Sequence, residues 1–510
     1  MSETGILSKK DENKVCYFGM LNVDGETKTF GVQEEDRCRH MYVLGKTGTG
    51  KSTMLKNMCL QDIYNGKGVC FIDAHGDTVQ YILDRIPLSR QKDLVYFNPA
   101  DIENPVGLNV MQAERGEQSF LICSGIMSVF KRIWRGMWST RMEYILNNTL
   151  LALLEQPGST LLGVVKMLSD ENYARSIVSQ TKNPLVKNFW TREYANFHEK
   201  YKQEAVAPIL NKIGQLFSTE LVRNILGQSR STISFRDILD NKKILLVNLS
   251  KGRIGEDNSN LLGSLIVNKI QIAAMARVEI PEDQRSPFNL YVDEFQNFTT
   301  DSFASILSEA RKYGLNLVLA HQYVSQLAET GNDSVRAAIF GNVGSITVFQ
   351  VGPEDAVKLV MDFEPEISRQ NLINLDKTQI AVKLSIKGKT SKPFLAQTIP
   401  SLFDEFGGKS QLMIKNSQEN YTRPRISVQN QINQYLLGEA SNGNGPITTQ
   451  SKKNRLRKKP ISEMETSNFK GKGKNKFDSN YAEKYSEKSS QNEISKLKLD
   501  KLKQILRPGN

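Results

Sequence analysis

The sequence predicts an α/β protein: a mostly parallel sheet flanked by helices, with an all-helical stretch inserted into it. Three observations carry that prediction. Short apolar runs alternate with segments of helical spacing over residues 31–111 and again over 236–402. A glycine-rich loop at 45–52 stands between an apolar run and a helical pattern. Over 112–235 the strand signal disappears and only three-to-four-residue apolar spacing remains.

Taken in order, residues 1–30 form a short preamble with a hairpin signal at Asp24-Gly25. Met41-Tyr42-Val43-Leu44 is a strand. Met54, Leu55, Met58, Cys59 and Ile63 mark the following helix, which stops at Asn65-Gly66. Residues 69–73 read as a buried strand, 81–86 as helix and 94–97 as strand. Helices are expected at 120–131, 141–155, 161–168 and 205–226, punctuated by Gln156-Pro157-Gly158 and Asn183-Pro184. Strands return at 244–248, 290–292, 317–319 and 346–349, with helices at 264–277 and 303–313 between them. A late hairpin, 380–386 and 393–398, turns at Lys387-Gly388-Lys389. Residues 403–510 are expected to be a flexible, disordered basic tail, rich in Asn, Gln, Ser, Gly and Lys. It ends in a short amphipathic helix at 494–506.

With 510 residues the chain can bury a large core, and 39% hydrophobic and 24% charged residues are ordinary for a globular protein. The five cysteines have no paired spacing and the four histidines are scattered. A disulfide framework and a dedicated zinc site are therefore not expected. No uninterrupted run of about 18 apolar residues is present; the best stretch, 261–275, is broken by Asn268, Lys269 and Gln271. A soluble, cytoplasmic protein is expected, reaching the inner face of the cell membrane through a partner at most. Net charge is +12, of which +10 falls in residues 451–510, with 17 Lys and Arg against 7 Asp and Glu. A basic tail is attached to a nearly neutral body.

The loop Gly45-Lys46-Thr47-Gly48-Thr49-Gly50-Lys51-Ser52, followed by Thr53, fits the phosphate-cradling pattern at every fixed position. Its glycines let successive N–H groups turn inward, and the helix start adds partial positive charge. Lys51 is expected at the outer phosphates of ATP and Ser52 on Mg²⁺. Asp293 and Glu294 end an apolar strand where an open parallel sheet places its ligand crevice. There Asp293 would orient the metal and Glu294 would activate water. Gln322, at the end of the next strand, is expected to bond both water and γ-phosphate; its neighbour His321 is the less suited of the two. Arg311, late in the 303–313 helix, is either a dipole-complementing cation or an arginine finger for a neighbouring subunit.

Two segments bear on nucleic acid. Lys452-Lys453-Asn454-Arg455-Leu456-Arg457-Lys458-Lys459 is a dense basic cluster suited to phosphate backbones or simply to solvation. Residues 130–138 interleave Phe130, Trp134 and Trp138 with Lys131, Arg132 and Arg135, a pattern of base stacking or of helical core. No base-reading motif is present, so any DNA contact is expected to be sequence-nonspecific.

Arg39-His40-Met41 before the loop, Phe71-Ile72-Asp73-Ala74-His75-Gly76-Asp77, Asp293-Glu294-Phe295, Arg311-Lys312-Tyr313-Gly314 and Gln322 together resemble the coupling ATPases of conjugation and type IV secretion. These are TraG/TraD-type members of the FtsK–HerA superfamily of ring-shaped DNA pumps, and the likeness spans about residues 30–400. The resemblance implies a RecA-like P-loop NTPase fold, ATP and Mg²⁺, and a homo-hexamer moving or presenting DNA or nucleoprotein cargo to a secretion channel. It also implies that the helical insertion contacts the cargo or its processing proteins, that Gln322 is a sensor and that Arg311 acts in trans. Departures are Ala74 where related chains often have proline, Gln350 where an arginine is expected, and the lack of membrane-spanning helices.

Overall fold

The central strands are buried along their whole length because both of their faces are covered. The computed structural model describes residues 15–300, 303–329 and 333–437. Its strands are β1 (Val15–Val23), β2 (Glu26–Gln33), β3 (Met41–Leu44), β4 (Gly68–Asp73), β5 (Leu94–Phe97), β6 (Ile244–Asn248), β7 (Phe288–Asp293), β8 (Leu315–His321), β9 (Ser345–Val348), β10 (Gln379–Lys383), β11 (Ser385–Ile386), β12 (Lys389–Thr390) and β13 (Phe394–Thr398). Every residue of β3 to β8 is buried. Eleven strands form one sheet in the order β2-β1-β13-β10-β9-β3-β8-β7-β4-β6-β5, and β11 pairs with β12 apart from it. Pairing is parallel from β9 through β5 and antiparallel from β9 outward to β2.

This sheet places the functional loops. Leu44 ends β3 opposite His321 of β8 and Val348 of β9, while Asp293 ends β7 opposite Ala320. The carboxyl ends of three neighbouring parallel strands therefore meet at one edge, the position at which such sheets bind ligands.

Beneath the crevice lies a buried polar knot that joins the loop helix to the sheet. Arg37 donates from Nη1 to both carboxylate oxygens of Asp62 (2.6 and 2.8 Å) and from Nη2 to the Tyr291 hydroxyl (2.6 Å). Asn289 donates to Asp62 Oδ2 (3.0 Å) and Asn316 to Asn289 Oδ1 (2.9 Å). All five side chains are buried, so each charge and amide is answered by another rather than by water.

The expected preamble is instead structural from residue 15 onward. β1 and β2 turn at Asp24-Gly25, both at positive φ (55° and 85°), and β1 pairs with β13 through Gly19↔Thr398 and Met20↔Gln397. Phe18 and Phe30 meet edge to face at 5.2 Å, and Phe30 meets Phe394 at 5.3 Å, which fixes that face of the hairpin on the sheet.

The inserted segment is helical, with Ser119–Ile133, Thr140–Leu154, Leu162–Ser169, Glu171–Gln180, Glu199–Ser218 and Glu220–Leu226 its main elements. The single helix expected at 205–226 is two, broken at Thr219. One hydrophobic cluster runs from Tyr42 and Ile72 of the sheet into Ile145, Leu150 and Ile213 of these helices, so the insertion shares the sheet's core. Helical spacing from Glu256 to Glu279 is long and apolar enough by composition to cross a membrane. It is instead packed inside the protein, 83% of its most apolar window buried, with Lys269 paired to Glu117 at 2.7 Å.

The expected tail begins too early. Residues 403–437 include the helices Ser410–Tyr421 and Arg425–Leu437. They are attached by a few buried apolar side chains, Met413, Val428 and Ile432, and by polar anchors: Ser417 Oγ accepts the Tyr96 N–H (2.8 Å), and the Tyr421 carbonyl accepts the Thr232 hydroxyl (2.6 Å). Apolar periodicity does not report such anchors. The remainder of the tail, with the 452–459 cluster and the 494–506 helix, lies outside the described residues.

Candidate functional site

The phosphate loop leaves β3 and is stitched to the neighbouring strands by its backbone. Gly45 N–H reaches the His321 carbonyl (3.4 Å) and Lys46 N–H the Gln350 carbonyl (2.9 Å). Gly50 enters the helix Lys51–Tyr64 at φ 120°. At Gly45, φ is 158° and a Cβ would stand 2.4 Å from Phe349 Cβ, so a side chain there would displace the loop. Lys46, Thr47 and Gly48 are exposed, leaving the turn of the loop open to an anion, while Thr49 is buried and bonds back to the Lys46 carbonyl (2.8 Å).

Lys51 is buried, and its Nζ donates to the carbonyls of Gly45 (2.6 Å) and Lys46 (3.0 Å), so the ammonium sits inside the loop. Burial pulls its pKa down, against the opposing charges of Glu294 and Asp293. Ser52, next along, donates its hydroxyl to Asp293 Oδ2 (3.1 Å). Loop and acid pair, about 240 residues apart in the chain, are thus in contact. Burial, and then the charges of Asp73 and Glu294, push the Asp293 carboxyl up to about 6, with Lys51 and Ser52 acting against them.

Glu294 follows at φ 52°, a left-handed backbone that turns its side chain back over the strand end. Its Oε1 accepts from Gln322 Nε2 (2.8 Å) and its Oε2 from Gln296 Nε2 (2.8 Å). His321 points the other way. Its Nε2 faces the Tyr42 hydroxyl and its ring lies 4.9 Å from that of Phe295; burial lowers its pKa to about 3. A neutral, enclosed imidazole leaves the cleft to Gln322.

Gly48, Gly50, Thr47, Lys51, Ser52, Thr53, Asp293, Glu294 and Gln322 line one cleft of about 480 Å³. Its far wall was not foreseen from the sequence: His75, Lys377 and Thr378, with Met20 and the run Gln397 to Pro400. Thr378, at φ 72°, donates its N–H to the Thr49 carbonyl (3.2 Å) and accepts the Thr398 N–H (2.8 Å), joining wall to loop. A non-glycine residue at positive φ carries no sequence signal, and β1 with β13 meet only through the fold.

Arg311 is not part of this cleft. It is exposed and precedes β8, whereas Gln322 follows it, so the two stand at opposite ends of a seven-residue strand. The aromatic pattern at 130–138 is core: Phe130 stacks on Trp134 (4.4 Å) and Trp134 on Trp138 (6.2 Å). Ser52 and Asp293 offer a hydroxyl and a carboxylate, the hard oxygen donors suited to Mg²⁺ beside phosphate oxygens. Among the described residues no cluster of His, Cys, Asp and Glu suggests any other metal.

Strand, glycine loop and helix, with an acid pair at the end of β7, a parallel strand separated from β3 by β8 alone, define a P-loop NTPase fold of the mostly parallel, RecA-like kind. Residues 29–381 match the family described as the type IV secretion-system coupling protein DNA-binding domain, and the chain belongs to that family. Type 4 coupling protein DotL of Legionella pneumophila is 21% identical over 498 residues. That alignment takes in 83% of this chain but 62% of DotL, so the chain spans less than two thirds of its relative's length. Among solved structures, plasmid coupling protein TrwB in complex with ADP and Mg²⁺ is similar at a TM-score of 0.53 and 16% identity, over 79% of this chain and 94% of that one. VirB4 of Thermoanaerobacter pseudethanolicus is similar at 0.50 and 15%, over 78% and 98%. At these identities the likeness is one of fold.

Proposed function

We propose that this chain is an ATP hydrolase that moves or presents DNA, or a nucleoprotein cargo, in type IV secretion. The observation that carries this reading is the joining of three separate segments in one cleft, through Ser52 to Asp293 and Gln322 to Glu294. Family membership and the ADP–Mg²⁺ complex of TrwB support it.

In this reading the loop's N–H groups and Lys51 bind the phosphates, and Ser52 and Asp293 hold Mg²⁺, which when bound offsets phosphate charge. Glu294 takes the proton of the attacking water. An amide NH₂ carries two protons, so Gln322 can hold Glu294 with one and donate the other toward the γ-phosphate. Arg311, at the far end of β8 from its own cleft, would serve a neighbour's in a head-to-tail hexameric ring. The protein would work in the cytoplasm, meeting the membrane or secretion channel through a partner, with the 452–459 cluster adding sequence-nonspecific DNA contact.

The test is the ATP hydrolysis rate with and without single- and double-stranded DNA, alongside the mass of the assembly. Stimulation by DNA in a hexamer is expected, with Glu294→Gln retaining ATP but losing turnover. Absence of hydrolysis with every DNA, in an assembled protein that binds ATP, would favour a nucleotide-gated recruitment platform instead.

A further inference from the structure

One side chain of the helical segment reaches the catalytic end of β7. Arg132, in the helix Ser119–Ile133, turns inward: Nη1 donates to Ser264 Oγ (2.6 Å) and Nη2 to the Gln296 carbonyl (2.9 Å). Gln296 lies in the turn Phe295–Asn297 that follows Glu294. Its side chain doubles back to Glu294 Oε2 while Gln322 holds Oε1, so both oxygens of one carboxylate are taken by amide donors.

The Gln296 amide is 7% exposed, and its own Oε1 has no partner. Turning the amide over would set a carbonyl oxygen against the Glu294 carboxylate, so the orientation is dictated by Glu294. An unpaired buried acceptor is costly, and it persists here in an arrangement that fixes the rotation of one functional side chain. The guanidinium's planar fork spans two partners outside the helical segment at once, Ser264 and Gln296, which a lysine ammonium on a flexible stem does not reproduce.

We propose that Gln296 is a positioning residue for Glu294, and that Arg132 ties its turn to the helical segment, so that movement of the helix Ser119–Ile133 alters the rate of hydrolysis. This rests on Glu294 being the water-activating base. Gln322 approaches from β8 and senses the phosphate side; Gln296 approaches from beneath and answers to the helices. Occupation of the helical segment by cargo would then reach the cleft through two hydrogen bonds.

The experiment uses the full chain and compares single-turnover ATP hydrolysis, nucleotide Kd and melting midpoint for Gln296→Leu, Gln296→Met, Arg132→Met, Arg132→Lys and the pair Gln296→Leu with Arg132→Met. Gln296→Leu and Gln296→Met are expected to slow hydrolysis about tenfold or more with Kd within about threefold of wild type. Arg132→Met should slow it less, Arg132→Lys less again, and the double variant should be no slower than Gln296→Leu alone, because both act along one path. A rate for both Gln296 variants within about twofold of wild type, or losses that simply add in the double variant, overturns the inference. So does a loss confined to Kd and melting midpoint, which is what packing alone produces. Glu294→Gln is the separate control: if it hydrolyses normally, it is the base assignment that fails.

Discussion

Mild acid should loosen this protein, and His321 should account for a definite share of the effect. The side chain is fully buried, its Nδ1 has no partner, and its pKa is held down at about 3 by burial. Unfolded, the same imidazole titrates near ~6.5. The folded value is the lower one, so the unfolded chain takes up the proton first. Stability is therefore intact above about pH 6.5 and is lost as pH falls toward the folded value. At pH 5 the difference is worth about 2 kcal/mol, from roughly 1.5 pH units at 1.36 kcal/mol each. His40, also buried and lowered to about 4, chiefly by desolvation with the Arg311 charge adding to it, contributes in the same direction, by about 2 kcal/mol at pH 5. With an unfolding entropy of about 2.1 cal/mol/K per residue over roughly 400 residues, each histidine should lower the melting midpoint by about 2 °C. The assay is a melt of wild type, His321→Gln and His40→Gln at pH 7.5 and pH 5.0, without nucleotide. Subtracting one pH from the other removes the pH-independent packing cost of each substitution. His321→Gln should show a drop about 2 °C smaller than wild type. An equal drop in both would refute the reasoning.

Lys51→Ala should lose the stabilisation that ATP confers, which at about 100-fold excess over Kd is about 2.7 kcal/mol in wild type; a variant midpoint that rises with ATP as wild type does would remove Lys51 from the phosphates. Asp62→Ala should destabilise by about 3–5 kcal/mol, because Arg37 is left buried without its carboxylate, and denaturant unfolding at neutral pH measures it. Deleting residues 447–510 should weaken DNA binding mainly at low salt and flatten its dependence on salt concentration. An unchanged titration assigns the basic cluster to something other than DNA.

The elements that sequence alone reveals are those written in apolar periodicity or in glycine. β3, its loop and its helix were plain because a fixed spacing of glycines, lysine and serine is demanded by phosphate geometry. Asp293, Glu294 and Gln322 were reachable because each ends an apolar run, and sheets of this kind put their chemistry at such ends. The far wall of the cleft was not. Met20 and Gln397 become neighbours only through an antiparallel pairing between distant strands, and Thr378 owes its place to a positive φ that any residue type conceals. Gln296 was passed over for the opposite reason: it stands two residues from Glu294, where a turn glutamine resembles ordinary solvated sequence. The helices at 410–437 escape because, of their apolar side chains, they fully bury only Met413, Val428 and Ile432, too sparse a stripe to read, and rely on hydrogen bonds for the rest.

The pairing of β1 with β13 also sets an order of events in synthesis. Residues 45–52 emerge from the ribosome early, yet the wall facing them is not complete until residue 400 has followed. A nascent or prematurely stopped chain can own an intact phosphate loop and still offer a nucleotide only half an enclosure. Full grip on the nucleotide thus certifies that the last-made strand, β13, has been delivered and seated beside β1.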